Sequence, residues 1–182
     1  MHEFLLTVSL LAGANFAFSQ KLLKPEVDKI SGDTTWKTNE QALYAKLTLV
    51  GANEMVAVQP EKVGNTYFAW LNITQPKTAN YYYILKGNKI FFKFSDKSIL
   101  TLEAAKENLT EKVGSNTTTF GSVGEGMKTY TPFLITKEQL DKMVSTPIEF
   151  VRVESSKGEL DYDIKPKLAE KVQKAFQLIS AK

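Results

Sequence analysis

The sequence predicts a mainly β protein of the α+β class: an antiparallel β-sandwich or partly closed barrel with a short helix near 137–145 and a C-terminal amphipathic helix. Three observations predict it. Short apolar runs recur at close spacing, separated by Gly, Asn and Pro turns. The densest run, Asn80 to Leu102, reads as three consecutive strands. Helical periodicity is confined to two stretches in the last third of the chain.

The chain has 182 residues, 43% of them hydrophobic, enough for one domain with its own core. Met1 to Ser19 reads as a secretory signal. Phe4 to Leu11 is apolar but too short to span a bilayer, and Ala17-Phe18-Ser19 supplies the small residues of a cleavage site. Its leading Met1-His2-Glu3 lacks the usual Lys or Arg. Residues 20–182 are then a single β-rich domain.

From the mature start, Glu26 to Ile30 reads as a short strand and Thr34 to Thr38 as β-prone after the Gly32-Asp33 turn. Leu43 to Val50 is a clear strand, turned by residues 51–54 and returned by Met55 to Val58. Lys62 to Asn65 is another turn, and Tyr67 to Ile73 another strand. In the central stretch, Gly87-Asn88 suits a two-residue hairpin loop, because Gly takes φ > 0 freely and Asn tolerates it. That register would set Leu85, Tyr83 and Tyr81 opposite Ile90, Phe92 and Phe94, all on one face. A three-residue loop at Ser95-Asp96-Lys97 adds Leu100 and Leu102 to that face. The composition is that of a core; the competing reading is a ligand cavity or a sugar-stacking platform.

Ala104 to Glu111 reads as a loop, and Thr117 to Ser122 as one flexible strand in a Gly-, Ser- and Thr-rich segment. Thr129 to Ile135 is a strand whose Pro132 points to an edge or a bulge. Thr136 and Gln139 form a capping box for a helix ending near Ser145, with Ile135 able to staple onto Leu140. Ile148 to Glu154 and Glu159 to Ile164 form a hairpin. Val151, Val153, Leu160 and Tyr162 share one face, and Arg152, Glu154, Glu159, Asp161 and Asp163 the other. Pro166 opens the last helix, with Leu168, Val172, Ala175, Phe176 and Ile179 on one side.

The chemistry is mostly a set of exclusions. His2 is the only His and there is no Cys, so a chain cleaved after Ser19 has neither. That removes Ser–His and Cys–His nucleophile pairs and the His- and Cys-based metal, haem and iron–sulfur ligand sets. It also removes a lipidated N-terminal Cys, so the chain is not a lipoprotein. Cleavage leaves 23 positive and 19 negative side chains, a net charge of +4. The basic residues are scattered Lys with one Arg, Arg152, which is not the pattern of a nucleic-acid reader. Carboxylate chemistry remains. Glu159, Asp161 and Asp163, opposite Arg152, could form a glycosidase-type acid pair or a Ca²⁺ site, but a solvated charged face is the simpler reading. GSVGEG at 121–126 lacks the Lys-Ser/Thr of a phosphate loop. Asn72, Asn108 and Asn116 each begin a glycosylation sequon.

Four stretches, Lys29 to Trp36, Phe94 to Ser98, Ile135 to Leu140 and Arg152 to Ala175, carry a resemblance. In their order the chain resembles a group of small exported β-rich proteins of Bacteroidetes, which often have Gly where this chain has Lys97. The resemblance implies a cell-envelope address, periplasmic or outer-surface, and carries no activity or functional residues. The sequence therefore yields no catalytic residues, metal ligands or cofactor. The expected function is a non-catalytic envelope binding or accessory module, whose partner would be another envelope protein or a glycan. The alternatives are an apolar-ligand carrier lined by Tyr81, Tyr83, Phe92 and Phe94, and a carboxylate-dependent hydrolase using Asp161 or Asp163.

Overall fold

A computed structural model describes residues 20–46, 54–76, 82–113, 117–118, 121–122 and 126–182. The signal segment, Tyr81, residues 47–53 and the Asn116 sequon lie outside the described residues. In chain order the elements are β1 (Glu26–Val27), β2 (Thr34–Lys37), β3 (Gln41–Lys46), β4 (Glu54–Val63), β5 (Thr66–Pro76), β6 (Lys89–Phe94) and β7 (Ile99–Glu103). Then come β8 (Leu109–Val113), β9 (Thr117–Thr118), β10 (Gly121–Ser122), β11 (Gly126–Ile135), α1 (Lys137–Ser145), β12 (Ile148–Ser155), β13 (Gly158–Asp163) and α2 (Pro166–Ser180).

The described strands form two main antiparallel sheets and a small ribbon, with no closed barrel. The larger sheet runs β1-β2-β4-β5-β11-β8, with β3 also on β4. The smaller runs β13-β12-β6-β7. Alternation along the strands sends Val56, Val58, Leu71, Ile73 and Phe133 of the large sheet into one core with Ile90, Phe92, Phe94, Val151 and Val153 of the small sheet. Leu140 and Met143 of α1 and Val172 and Phe176 of α2 complete that core. The Ser95–Lys97 loop has three residues, as alternation requires, and Phe92 pairs with Leu100 and Ile90 with Leu102. The capping box at Thr136 is formed in full. The β12–β13 register places Val151 opposite Tyr162 and Arg152 opposite Asp161, as the sequence pattern predicts.

The pairing expected at Gly87-Asn88 does not form. Gly87 does have φ +85°, but residues 82–85 are not a strand on β6. The reason is that β6 has two edges, and β7 and β12 hold both. Residues 82–85 instead run to other partners: Ile84 N–H donates to the Asn108 side chain at 3.0 Å and Tyr83 N–H to Ser156 Oγ at 3.0 Å. Tyr82 and Ile84 are buried, while Tyr83 and Leu85 are about half exposed, the reverse of the expected faces. Phe92 and Phe94 lie in the core, as the core reading expects, but Tyr83 does not join them on one face.

Other corrections are local. The first strand stops at Val27, because Asp28 Oδ1 accepts from the N–H groups of Ile30 and Ser31 and turns the chain. The segment expected as a loop from Ala104 becomes β8 at Leu109, paired to β11. Thr117 to Ser122 is two short strands paired to each other, Thr118 opposite Gly121, rather than one. The Pro132 strand is interior to its sheet, not an edge or a bulge. In an antiparallel strand a residue's N and C=O point to the same side. The Pro132 C=O accepts from Ala105 N–H at 3.1 Å, so its missing N–H also faces away from β5 and costs that ladder nothing.

Candidate functional site

Two of the three acids of the β12–β13 hairpin, Glu159 and Asp161, come together with Arg152 on the outer face of the small sheet, while Asp163 lies opposite Phe150. Arg152 Nε and Nη2 each donate to Asp161 at 2.7 Å, and Nη1 lies 2.8 Å from Glu159. All three acids are exposed. The Arg152 hydrogen bond holds the Asp161 carboxyl below its usual range. A general acid needs the opposite shift. A shallow depression of about 310 Å³ beside them is lined by Phe91, Lys93, Ile99 and Phe150. Gly126 opens a strand, β11, rather than a helix.

The outward face of the large sheet carries a site that the sequence reading missed. On β5, Phe68, Trp70, Asn72 and Thr74 alternate onto this face. The register sets Asn72 between Ala57 on β4 and Tyr130 on β11, and Ala57 beside Ala42 on β3. Ala42, Ala57, Asn72 and Tyr130 thus form one row across four strands. The two alanines leave a recess. With Met55, Gln41, Glu40 and, from α2, Leu168 and Lys171, they line a cleft of about 380 Å³.

Charge frames the row. Lys128 Nζ meets Glu40 Oε1 at 2.6 Å and lies 5.0 Å from the Tyr130 ring centroid. Glu40 precedes β3 and Lys128 sits on β11, with β4 and β5 between. The ion pair therefore ties β11 to the segment entering β3 across the sheet. Burial pulls the Lys128 pKa down, but the hydrogen bond and charge of Glu40 outweigh it and the ammonium is held above its ordinary value.

Asn72 is fully buried, and neither its Oδ1 nor its Nδ2 has a hydrogen-bond partner among the described residues. Its burial removes it as a glycosylation acceptor. The only sequence signal was its place: one amide in a strand face otherwise marked by Phe68 and Trp70. Trp70 is satisfied, its indole N–H donating to Glu61.

A second polar cluster ties the sheets together. Tyr82 and Tyr162 hydroxyls lie 3.2 Å apart, and Tyr162 donates to Glu54 Oε1 at 3.3 Å. Gln75 closes it, accepting from Tyr82 N–H at 3.3 Å and donating to Tyr82 C=O at 3.4 Å. Burial pushes the Tyr82 hydroxyl up to about 12 and raises that of Tyr162 further. Phenols so raised stay protonated and serve as fixed hydrogen-bond links. Compared with known proteins, the chain matches no protein family, no curated protein and no solved structure.

Proposed function

We propose that the chain is a non-catalytic binding or accessory module of the cell envelope, and that its ligand sits in the cleft over Ala42 and Ala57. The observation that supports this reading is the floor of that cleft: two alanines in register beneath a rim bearing Glu40 and Lys171. Ligand sites pair an apolar floor with a few placed polar groups, and this cleft has that make-up. The envelope address rests on the signal-like N-terminus and the resemblance. The hydrolase alternative is less well supported, since Asp161 is committed to Arg152 on an exposed strand face.

The test is sedimentation of the purified protein with a cell-envelope fraction from a Bacteroidetes bacterium. Wild-type protein is expected in the pellet. Ala42→Leu, which fills the recess at a half-buried position, should lose about tenfold in retention, the scale of a 1.4 kcal/mol deficit. Asp161→Asn should be retained like wild type. Equal retention of Ala42→Leu would contradict the reading, as would absence of wild-type protein from the pellet.

A further inference from the structure

We propose that two copies of the chain associate through the free edge of β7, which pairs antiparallel with the β7 of a second copy about a twofold axis at Thr101. The inference goes beyond the binding-module reading and does not depend on it.

The first support is a row of backbone groups. β7 ends the small sheet on one side, with β6 as its neighbour. In an antiparallel strand the N–H and C=O of one residue point the same way, and successive residues alternate. Ala104 N–H donates to Asn88 C=O at 2.9 Å, Ala104 C=O accepts from Gly87 N–H at 3.1 Å, and Ser98 C=O accepts from Phe94 N–H at 3.0 Å. Leu100 and Leu102, in step with these, face β6, so Ile99, Thr101 and Glu103 face outward. Ala105 keeps the same alternation, its N–H donating away from β6 to Pro132 C=O at 3.1 Å. Nothing among the described residues pairs with the outward backbone groups of Ile99, Thr101 and Glu103. β7 also lacks the proline or bulge that commonly blunts an exposed edge.

The second support is that this row is complementary to itself. Turned about Thr101, Ile99 meets Glu103 of the second copy, Thr101 meets Thr101, and Glu103 meets Ile99. Each of these pairs joins outward-facing residues, so each can exchange two hydrogen bonds. The lengths also agree. Beyond Glu103 the edge is closed by the bridge of Ala104 to Phe133, and at that point the second copy has reached Ile99, where its own β7 begins. A groove of about 430 Å³ along Thr101, Leu102 and Glu103, bounded by Leu134 and Gln139, leaves room beside the edge.

The third support is the side chains, which favour a second copy as the occupant. Ile99 is 65% exposed, with Lys93 opposite it on β6. Antiparallel pairing brings Glu103 of the second copy against Ile99 on the side away from Lys93. The exposed isoleucine is then enclosed between opposite charges, twice by symmetry. On the inner face the same register sets Leu100 against Leu102 of the second copy and extends the core. The other edge of the small sheet shows the contrast. β13 carries Glu159, Asp161 and Asp163 on one face, so a second copy laid along it antiparallel would set acid against acid.

The test is analytical ultracentrifugation of the purified protein over a concentration series, together with amide hydrogen exchange. Wild type should pass from monomer to dimer as concentration rises. The amides of Ile99, Thr101 and Glu103 should exchange fast in the monomer and slowly in the dimer, and those of Leu100 and Leu102 slowly in both. Thr101→Pro should fold, because the nitrogen it alters faces away from β6, and should stay monomeric. Glu103→Lys, which sets like charges on both sides of Ile99, should weaken dimerisation at least about tenfold. A wild type that is monomeric across the series would overturn the proposal. So would a folded Thr101→Pro that still dimerises, a Glu103→Lys that dimerises like wild type, or a dimer whose three outward amides exchange freely. If Thr101→Pro does not fold, the wild-type exchange pattern decides alone.

Discussion

Lys97 is the one non-glycine residue with positive φ, at +69°, among the described residues. It closes the three-residue loop: its N–H donates to Phe94 C=O at 2.9 Å, and Phe94 N–H donates to Ser98 C=O at 3.0 Å. An L side chain in that conformation costs about 1 kcal/mol or slightly more. Its exposed ion pair with Glu149, at 2.7 Å, returns little of that. Lys97→Gly should therefore raise stability by about 1 kcal/mol, measured as a higher urea midpoint with an unchanged slope. This loop was legible in advance, because only a three-residue loop keeps Leu100 and Leu102 on the Phe92 face. Asn72 was not. A lone Asn in a strand looks like any half-exposed polar position until the register sets it between Ala57 and Tyr130.

At the scale of elements, local signals translated well. The Thr136–Gln139 box, Pro166 at the start of α2 and the Val151/Tyr162 face all depend on residues close in sequence, and all are formed. Thr136→Ala should cost about 1 kcal/mol, since the Thr136 hydroxyl accepts from Gln139 N–H and caps the helix. Chemical denaturation of the variant measures it. Gly87 shows where local signals stop. It marked a turn correctly, but a turn residue does not say which strand fills the neighbouring edge. That edge went to β12, more than fifty residues later, because Ile148 to Val153 bury a better-matched apolar face against β6. Pro132 misled for a similar reason. Proline is tolerated inside a sheet where its nitrogen turns away from the ladder that needs a donor, and here it faces Ala105 rather than β5.

The whole molecule is two sheets sharing one core, pinned by the Gln75–Tyr82–Tyr162–Glu54 chain. Tyr82 has a folded pKa raised from 10.0 to about 12. A raised pKa contributes stability that is present below the unfolded value and is lost as pH rises through the folded one. The protein should thus lose stability between about pH 10 and 12, and Tyr82 and Tyr162 should ionise above the ordinary phenol value. Absorbance titration near 295 nm, repeated on Tyr82→Phe, reads both; a single transition of all tyrosines near pH 10 would contradict the buried link. The same architecture decides where a ligand can sit. One face of each sheet is spent on the core, so binding falls to an outward face. The proposed site lies on the large sheet over Ala42 and Ala57, not on the Phe91 and Phe150 face of the small one. Methyl NMR of the protein, with and without a solubilised envelope fraction, tests this most directly. Shifts are expected to be confined to the methyls of Ala42, Met55, Ala57 and Leu168. Shifts at Ile99, with those four unmoved, would contradict it.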